Sequence, residues 1–225
     1  MATFNTINES YNVREDFMSI LLNLGGAMTF KQAQKVLKTL DSARLPDHKY
    51  NPTVYLMPDI EGCKLSIDRQ RGLIGLYSGS KRKDVPYDKA ALWGISLALD
   101  FIDNPDDLTS LRLYKDSLTT LDFTFNGKIY KVIYANHSSI PQVAQILLET
   151  EKKLQRSGMN VDLIRPRYMF LVTDTEKNLR DLAFERLEQL DVQYPHTIVI
   201  VAGGYEFDQP QFEYYESEST TENAD

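Results

Sequence analysis

Apolar residues recur at helical spacing near the start of the chain and at strand spacing in its middle, and these two periods outline the elements. Asn12-Val13-Arg14-Glu15 fits a capping box, and Phe17, Ile20, Leu21 and Leu24 then share one face of a predicted helix that Gly25-Gly26 ends. Phe30, Ala33, Val36, Leu37 and Leu40 form a second stripe, with Thr29 as the predicted cap and Lys31, Lys35 and Lys38 on the opposite side.

The segment from Asp41 to Gly62 contains Pro46, Pro52 and Pro58. Asn51-Pro52 is a helix-start pair, and Pro58 interrupts whatever follows after roughly two turns. Residues 63–77, CKLSIDRQRGLIGLY, then read as two short strands around a turn with Asp68-Arg69-Gln70-Arg71-Gly72 at its tip. Helix, helix, short helix and hairpin in that order predict a winged helix-turn-helix. Its third helix offers Thr53, Val54, Tyr55, Leu56 and Met57, few of them able to read base edges. Contact through the hairpin to the nucleic-acid backbone is therefore expected over sequence-specific readout.

Farther along, Tyr87 to Ile102 is apolar over most of its circumference and predicts a buried helix, the spine of a second domain, closed by Asn104-Pro105-Asp106-Asp107. Leu111–Tyr114 reads as a short strand, and Leu118–Phe125 and Lys128–Ala135 as a hairpin joined by Asn126-Gly127, a type I′ pair. A helix over 140–155, opened by Ser139, a strand over 168–173, a helix from Asp174-Thr175 to about 190, a strand over 197–202 and an edge strand over 212–216 complete the pattern. The whole is α/β (α+β): a flexible arm over 1–11, a winged-helix domain over 12–80, a mixed-sheet α/β sandwich over 84–216 and a disordered acidic tail over 217–225.

Charge changes this picture, because the net −7 hides a split. Between Asn12 and Lys83 twelve Lys and Arg face seven Asp and Glu, a net of about +5, whereas the chain from Asp84 onward carries about −11. The basic section makes nucleic acid the expected partner, duplex DNA with weak sequence specificity, held by Lys64, Arg69, Arg71, Lys81, Arg82 and Lys83. The bland reading of the same section is a docking or dimerisation module with a solvated basic face, and Ser78-Gly79-Ser80 marks a linker. One cysteine, Cys63, no signal peptide and no run of about 18 apolar residues lead to the expectation of a cytoplasmic chain that neither crosses a membrane nor pairs disulfides.

Catalytic chemistry finds little support in the residues. The second-domain order resembles the core of restriction-endonuclease-like nucleases, which place an Asp on one hairpin strand and Glu-x-Lys on the next to hold a divalent metal. Asp122 suits the first position, but the strand Lys128–Tyr134 has lysines and no carboxylate, so no catalytic residue, metal site or cofactor is assigned. His48, His137 and His196 lack ligand spacing, Gly203-Gly204 reads as a turn without a phosphate-cradling helix, Asp174 as a helix cap and Cys63 as a small apolar filler.

The segments ALWGISLALDFID, LDFTFNGKIYKVIYA, RYMFLVTD and HTIVIVAGG with FEYYE carry a resemblance to a family of winged-helix proteins of plasmids and integrative elements of Gram-positive bacteria. More distantly, the pattern is similar to replication-relaxation proteins with a degenerate restriction-endonuclease-like domain. The resemblance implies mobile-element biology and a nuclease-like architecture without catalysis. The expected function is a non-enzymatic accessory or regulatory protein that contacts nucleic acid through its winged helix, with a protein partner on the acidic second domain or a homodimer. The alternative is an acidic inhibitor or adaptor that occupies a nucleic-acid-binding host protein. A residual metal-dependent nuclease ranks third.

Overall fold

The computed structural model describes residues 13, 15–40, 64–77, 85, 87–116, 118–158, 160, 164–190, 192, 194–205 and 209–217, with Lys64 and Tyr77 described by their backbone. The expected arm over 1–11, the short third helix, Cys63, the linker with Lys81, Arg82 and Lys83, and the tail beyond Ser217 lie outside the described residues. The fold is mixed α+β with two sheets, one of three strands and one of six. Its contacts divide it into two compact units, one through Leu113 and the other built from most of the chain after Tyr114.

In the first unit, helix α1 (residues 15–23) buries Phe17, Ile20 and Leu21. Gly25 and Gly26, at φ 81° and 83°, stop it with a Schellman pair: Gly26 N–H donates to Leu21 O at 2.8 Å and Gly25 N–H to Leu22 O at 3.1 Å. Those left-handed conformations explain why two glycines stand there. Three buried residues then extend as β1 (Ala27–Thr29), a strand the helical pattern did not predict, before α2 (Phe30–Leu40). β2 (Lys64–Asp68) and β3 (Leu73–Tyr77) form the expected hairpin. β1 pairs with the far side of β3, so the sheet order is β1-β3-β2, all antiparallel.

Thr29 and Gln32 join this sheet to the helices. Thr29 N–H donates to Gln32 Oε1 at 2.9 Å and Gln32 N–H to Thr29 Oγ1 at 3.1 Å, a reciprocal capping box at the start of α2. The Gln32 amide also donates to Leu92 O at 2.7 Å and Ser96 Oγ at 2.8 Å on α3 (Lys89–Phe101). The helix expected as the spine of the second domain therefore packs in the first unit, against α2 and β1. Its apolar circumference correctly indicated burial, with Leu92, Trp93, Ile95, Leu97 and Leu99 inside, but carried no information about the neighbour. Asp88 caps α3, and Asn104-Pro105, besides closing the preceding segment, starts a short helix α4 (Pro105–Ser110).

A six-stranded sheet runs in the order β4-β5-β6-β7-β8-β9: Arg112–Lys115, Thr119–Phe125, Lys128–Ala135, Arg167–Val172, His196–Gly203 and Gln211–Glu216, with β5 to β9 in the second unit. β5 and β6 are an antiparallel hairpin, β6, β7 and β8 run parallel, and β9 returns antiparallel along β8. Parallel neighbours need crossovers, supplied by α5 (Ile140–Arg156) and α6 (Lys177–Glu188). Both helices lie on one face, where Ile140, Val143, Ala183 and Leu187 meet Ile133, Tyr168, Phe170 and Ile198. The alternate residues Val132, Met169, Leu171 and Val199 are buried too, which is why these strands read as unbroken apolar runs.

Candidate functional site

The β2–β3 turn is held from inside. Asp68 Oδ1 accepts the backbone N–H of Gln70 at 3.1 Å and of Arg71 at 3.0 Å, and Gly72 supplies the left-handed residue at φ 66° that lets the chain re-enter β3. Gly72 O accepts the N–H of Phe30 at 2.8 Å, fixing the turn to the first residue of α2. A short turn braced at both ends loses little entropy when it meets a partner.

Its two arginines differ. Arg71 Nη1 lies 3.8 Å from Asp68 Oδ2, and its guanidinium carbon is 6.0 Å from the centre of the Tyr87 ring. With its side chain 47% exposed, Arg71 keeps an open donor edge while its position is restricted. Arg69 is exposed at the tip and makes no hydrogen bond or ion pair among the described residues. Lys64 lies at the start of β2, while Lys81, Arg82 and Lys83 fall outside the described residues. Of the six expected contact residues, the structure thus joins Arg69 and Arg71 on one turn. On α2, Lys31 and Lys38 are exposed, and Lys35 is tied to Asp100 on α3 at 3.0 Å.

Asp122 lies on the β5–β6 hairpin of the second unit. Asp122 and Lys131 stand opposite each other in the β5/β6 register, and the ammonium bonds both carboxylate oxygens at 2.7 and 2.9 Å. Lys131 Nζ also sits 5.8 Å from the Tyr114 ring centre. Two residues before Lys131, on the same side of the strand, is Ile129, 44% exposed, facing Thr124. The single carboxylate is therefore neutralised by its neighbour, and the position that would supply a second one is a hydrocarbon. No cluster of three His, Cys, Asp or Glu able to hold a metal ion occurs among the described residues.

At the carboxyl ends of β6 and β7 a second polar group forms that sequence spacing did not reveal. Asp174 Oδ2 accepts the His137 backbone N–H at 2.7 Å, and Oδ1 lies 3.1 Å from His137 Nδ1. Arg186 Nη1 donates to His137 O at 2.6 Å. The expectation that Asp174 caps the next helix is corrected: α6 begins at Lys177 behind Glu176, and the Asp174 carboxylate instead secures the loop after β6. Residues 37 positions apart were brought together by parallel pairing of β6 and β7, which no local pattern encodes. Ser139, expected to open α5, precedes it without a side-chain cap; its hydroxyl accepts the Asn136 N–H at 2.8 Å. His196 Nδ1 faces Tyr194 O at 2.9 Å, the geometry of a structural histidine.

No helix among the described residues is long and apolar enough to cross a membrane. The chain matches no protein-family model, no curated protein and no solved structure.

Proposed function

We propose that the chain is a non-enzymatic accessory or regulatory protein that contacts nucleic acid through the β2–β3 turn of a winged helix-turn-helix. The observation that carries this reading is the braced turn with Arg69 at its tip, set on a three-stranded β1-β3-β2 sheet behind two helices. A guanidinium on a fixed turn can bond phosphate oxygens in a forked geometry without first being ordered. Phosphate contact positions a protein on a duplex and carries no sequence information, so binding is general for duplex DNA and weak at physiological salt. The association with plasmids and integrative elements rests on the resemblance of the ALWGISLALDFID, LDFTFNGKIYKVIYA, RYMFLVTD and HTIVIVAGG segments, as does a nuclease-like ancestry for the second unit.

Binding of the full chain to several unrelated duplexes at low salt tests the reading. Affinities agreeing within about threefold across sequences, and abolished in Arg69→Ala/Arg71→Ala, are the expected result. Lack of binding to any duplex, or strong preference for one, would overturn it. Incubation with magnesium or manganese is expected to leave the duplex uncut, because the strand facing Asp122 carries no second carboxylate.

A second reading, an acidic adaptor that engages a nucleic-acid-binding protein, is favoured by one feature of the second unit. Edge strand β9 presents Glu213, Tyr214, Tyr215 and Glu216 exposed, in a section carrying about −11 overall. Recovery of a basic partner that is lost on Glu213→Lys/Glu216→Lys, in a chain that binds no DNA, would select this reading over the first.

A further inference from the structure

Beneath α5 the second unit encloses a half-open cavity of about 380 Å³. Ala144, Leu147 and Leu148 form one wall, and Leu190, Val192 and Tyr194, from the segment after α6, form the other. Glu151, Gln155 and Tyr168 add polar groups to its lining, Gln155 being exposed. The volume falls in the range of small-molecule sites, roughly 300–1,000 Å³, and an apolar lining with a few convergent polar groups is their usual composition.

The group around Glu151 is built rather than incidental. Arg165 donates from Nε to Glu151 Oε1 at 3.2 Å and from Nη2 to Oε2 at 3.3 Å, and the Tyr168 hydroxyl reaches Oε1 at 3.4 Å. The Arg165 guanidinium lies 3.7 Å from the centre of the Tyr194 ring, so the pair that balances the charge also fixes an aromatic wall. Burial first and Glu151 second hold the Tyr168 hydroxyl protonated far above the ordinary tyrosine range. Gln155, by contrast, makes no hydrogen bond among the described residues. The cavity is half open, and Ala144, Leu148 and Gln155 of its lining are exposed, so water reaches a mostly hydrocarbon surface inside. Displacing such water by an apolar group is favourable.

We propose that this cavity is a binding site for a small uncharged amphiphile, an aromatic ring or short chain bearing a hydroxyl, amide or carbonyl group. The apolar part lies against Leu147, Leu190 and Val192, and the polar group meets the Gln155 amide. Arg165 and Glu151 satisfy each other's charge, so neither an anion nor a cation finds an unpaired counter-charge in this pair. The site is independent of the nucleic-acid reading, since it belongs to the second unit alone.

Methyl-resolved NMR of the full chain, with labelled Leu and Val and 4-methylphenol as probe, tests the proposal. The expected result is saturable shifts at Leu147, Leu190 and Val192, weakened about tenfold or more in Ala144→Trp, which fills the cavity from an exposed helical position. Leu148→Trp serves as a second filler if Ala144→Trp unfolds. Gln155→Ala should weaken 4-methylphenol and leave toluene unchanged. No saturable shift, shifts indifferent to both fillers, tighter binding of hexanoate than of 4-methylphenol, or a dimer that the fillers dissociate would each overturn the assignment.

Discussion

Gln32 is almost fully buried at 4% exposure, and one side chain there satisfies three groups: the Thr29 N–H, the Leu92 carbonyl and the Ser96 hydroxyl. Gln32→Glu keeps the acceptor for Thr29 but removes both donors and buries a charge, so it should cost about 2–4 kcal/mol in urea unfolding. Gln32→Ala should cost about 2 kcal/mol, and a loss under about 0.5 kcal/mol in either variant would contradict the network. Tyr168 makes a pH-dependent contribution of definite sign. Its folded pKa is raised, chiefly by burial and next by Glu151, above the ordinary tyrosine value of about 10. Below about pH 10 both states hold the proton and the contribution is complete; above it the unfolded chain gives up a proton that the folded chain retains, and stability falls. Tyr168→Phe should therefore flatten the decline in urea midpoint between about pH 9 and pH 11 relative to the parent chain, and parallel curves would contradict the assignment.

Elements defined by local chemistry were legible in the sequence. Asn126 and Gly127 adopt φ 51° and 72°, the paired positive values of a type I′ turn, and β6 spans the expected residues Lys128–Ala135. The Asp68–Gly72 turn was legible for the same reason, since two strands of matching pattern flank a glycine-ended tip. Elements defined by distant partners were not. β1 has three residues and exists through its pairing with β3, and α3 shows burial on most sides without naming what buries it. The Asp174–His137 contact and the Glu151–Arg165–Tyr168 group were hidden likewise, because each joins separate elements. Within the small sheet, Gly75 meets a constraint that its type alone did not announce: a Cβ there would lie 2.2 Å from Val85 Cγ1. Gly75→Ala should cost about 1–3 kcal/mol, and pairing it with Val85→Ala should recover part of that loss. Additive losses in thermal or urea melts would mean that the glycine is needed for another reason.

At the scale of the whole molecule, a basic N-terminal section is joined to an acidic remainder, about +5 against about −11, so bulk charge opposes an anionic partner while one turn favours it. On the proposed reading, such a balance predicts weak binding centred on Arg69 and Arg71, with a salt slope set by the few phosphates they neutralise. It also separates the two functional readings, since an adaptor would respond to the acidic surface and ignore the turn. Asp122 pairs with Lys131 across the β5/β6 hairpin, and the facing strand brings no second carboxylate beside it. The most direct measurement is the salt dependence of duplex-DNA affinity, followed by fluorescence anisotropy for the full chain and for Arg69→Ala. Loss of one phosphate contact should lower the slope of log affinity against log salt by about 1 and weaken binding several-fold at low salt. An unchanged slope and affinity in Arg69→Ala, or no duplex binding by the parent chain at about 50 mM salt, would contradict the account.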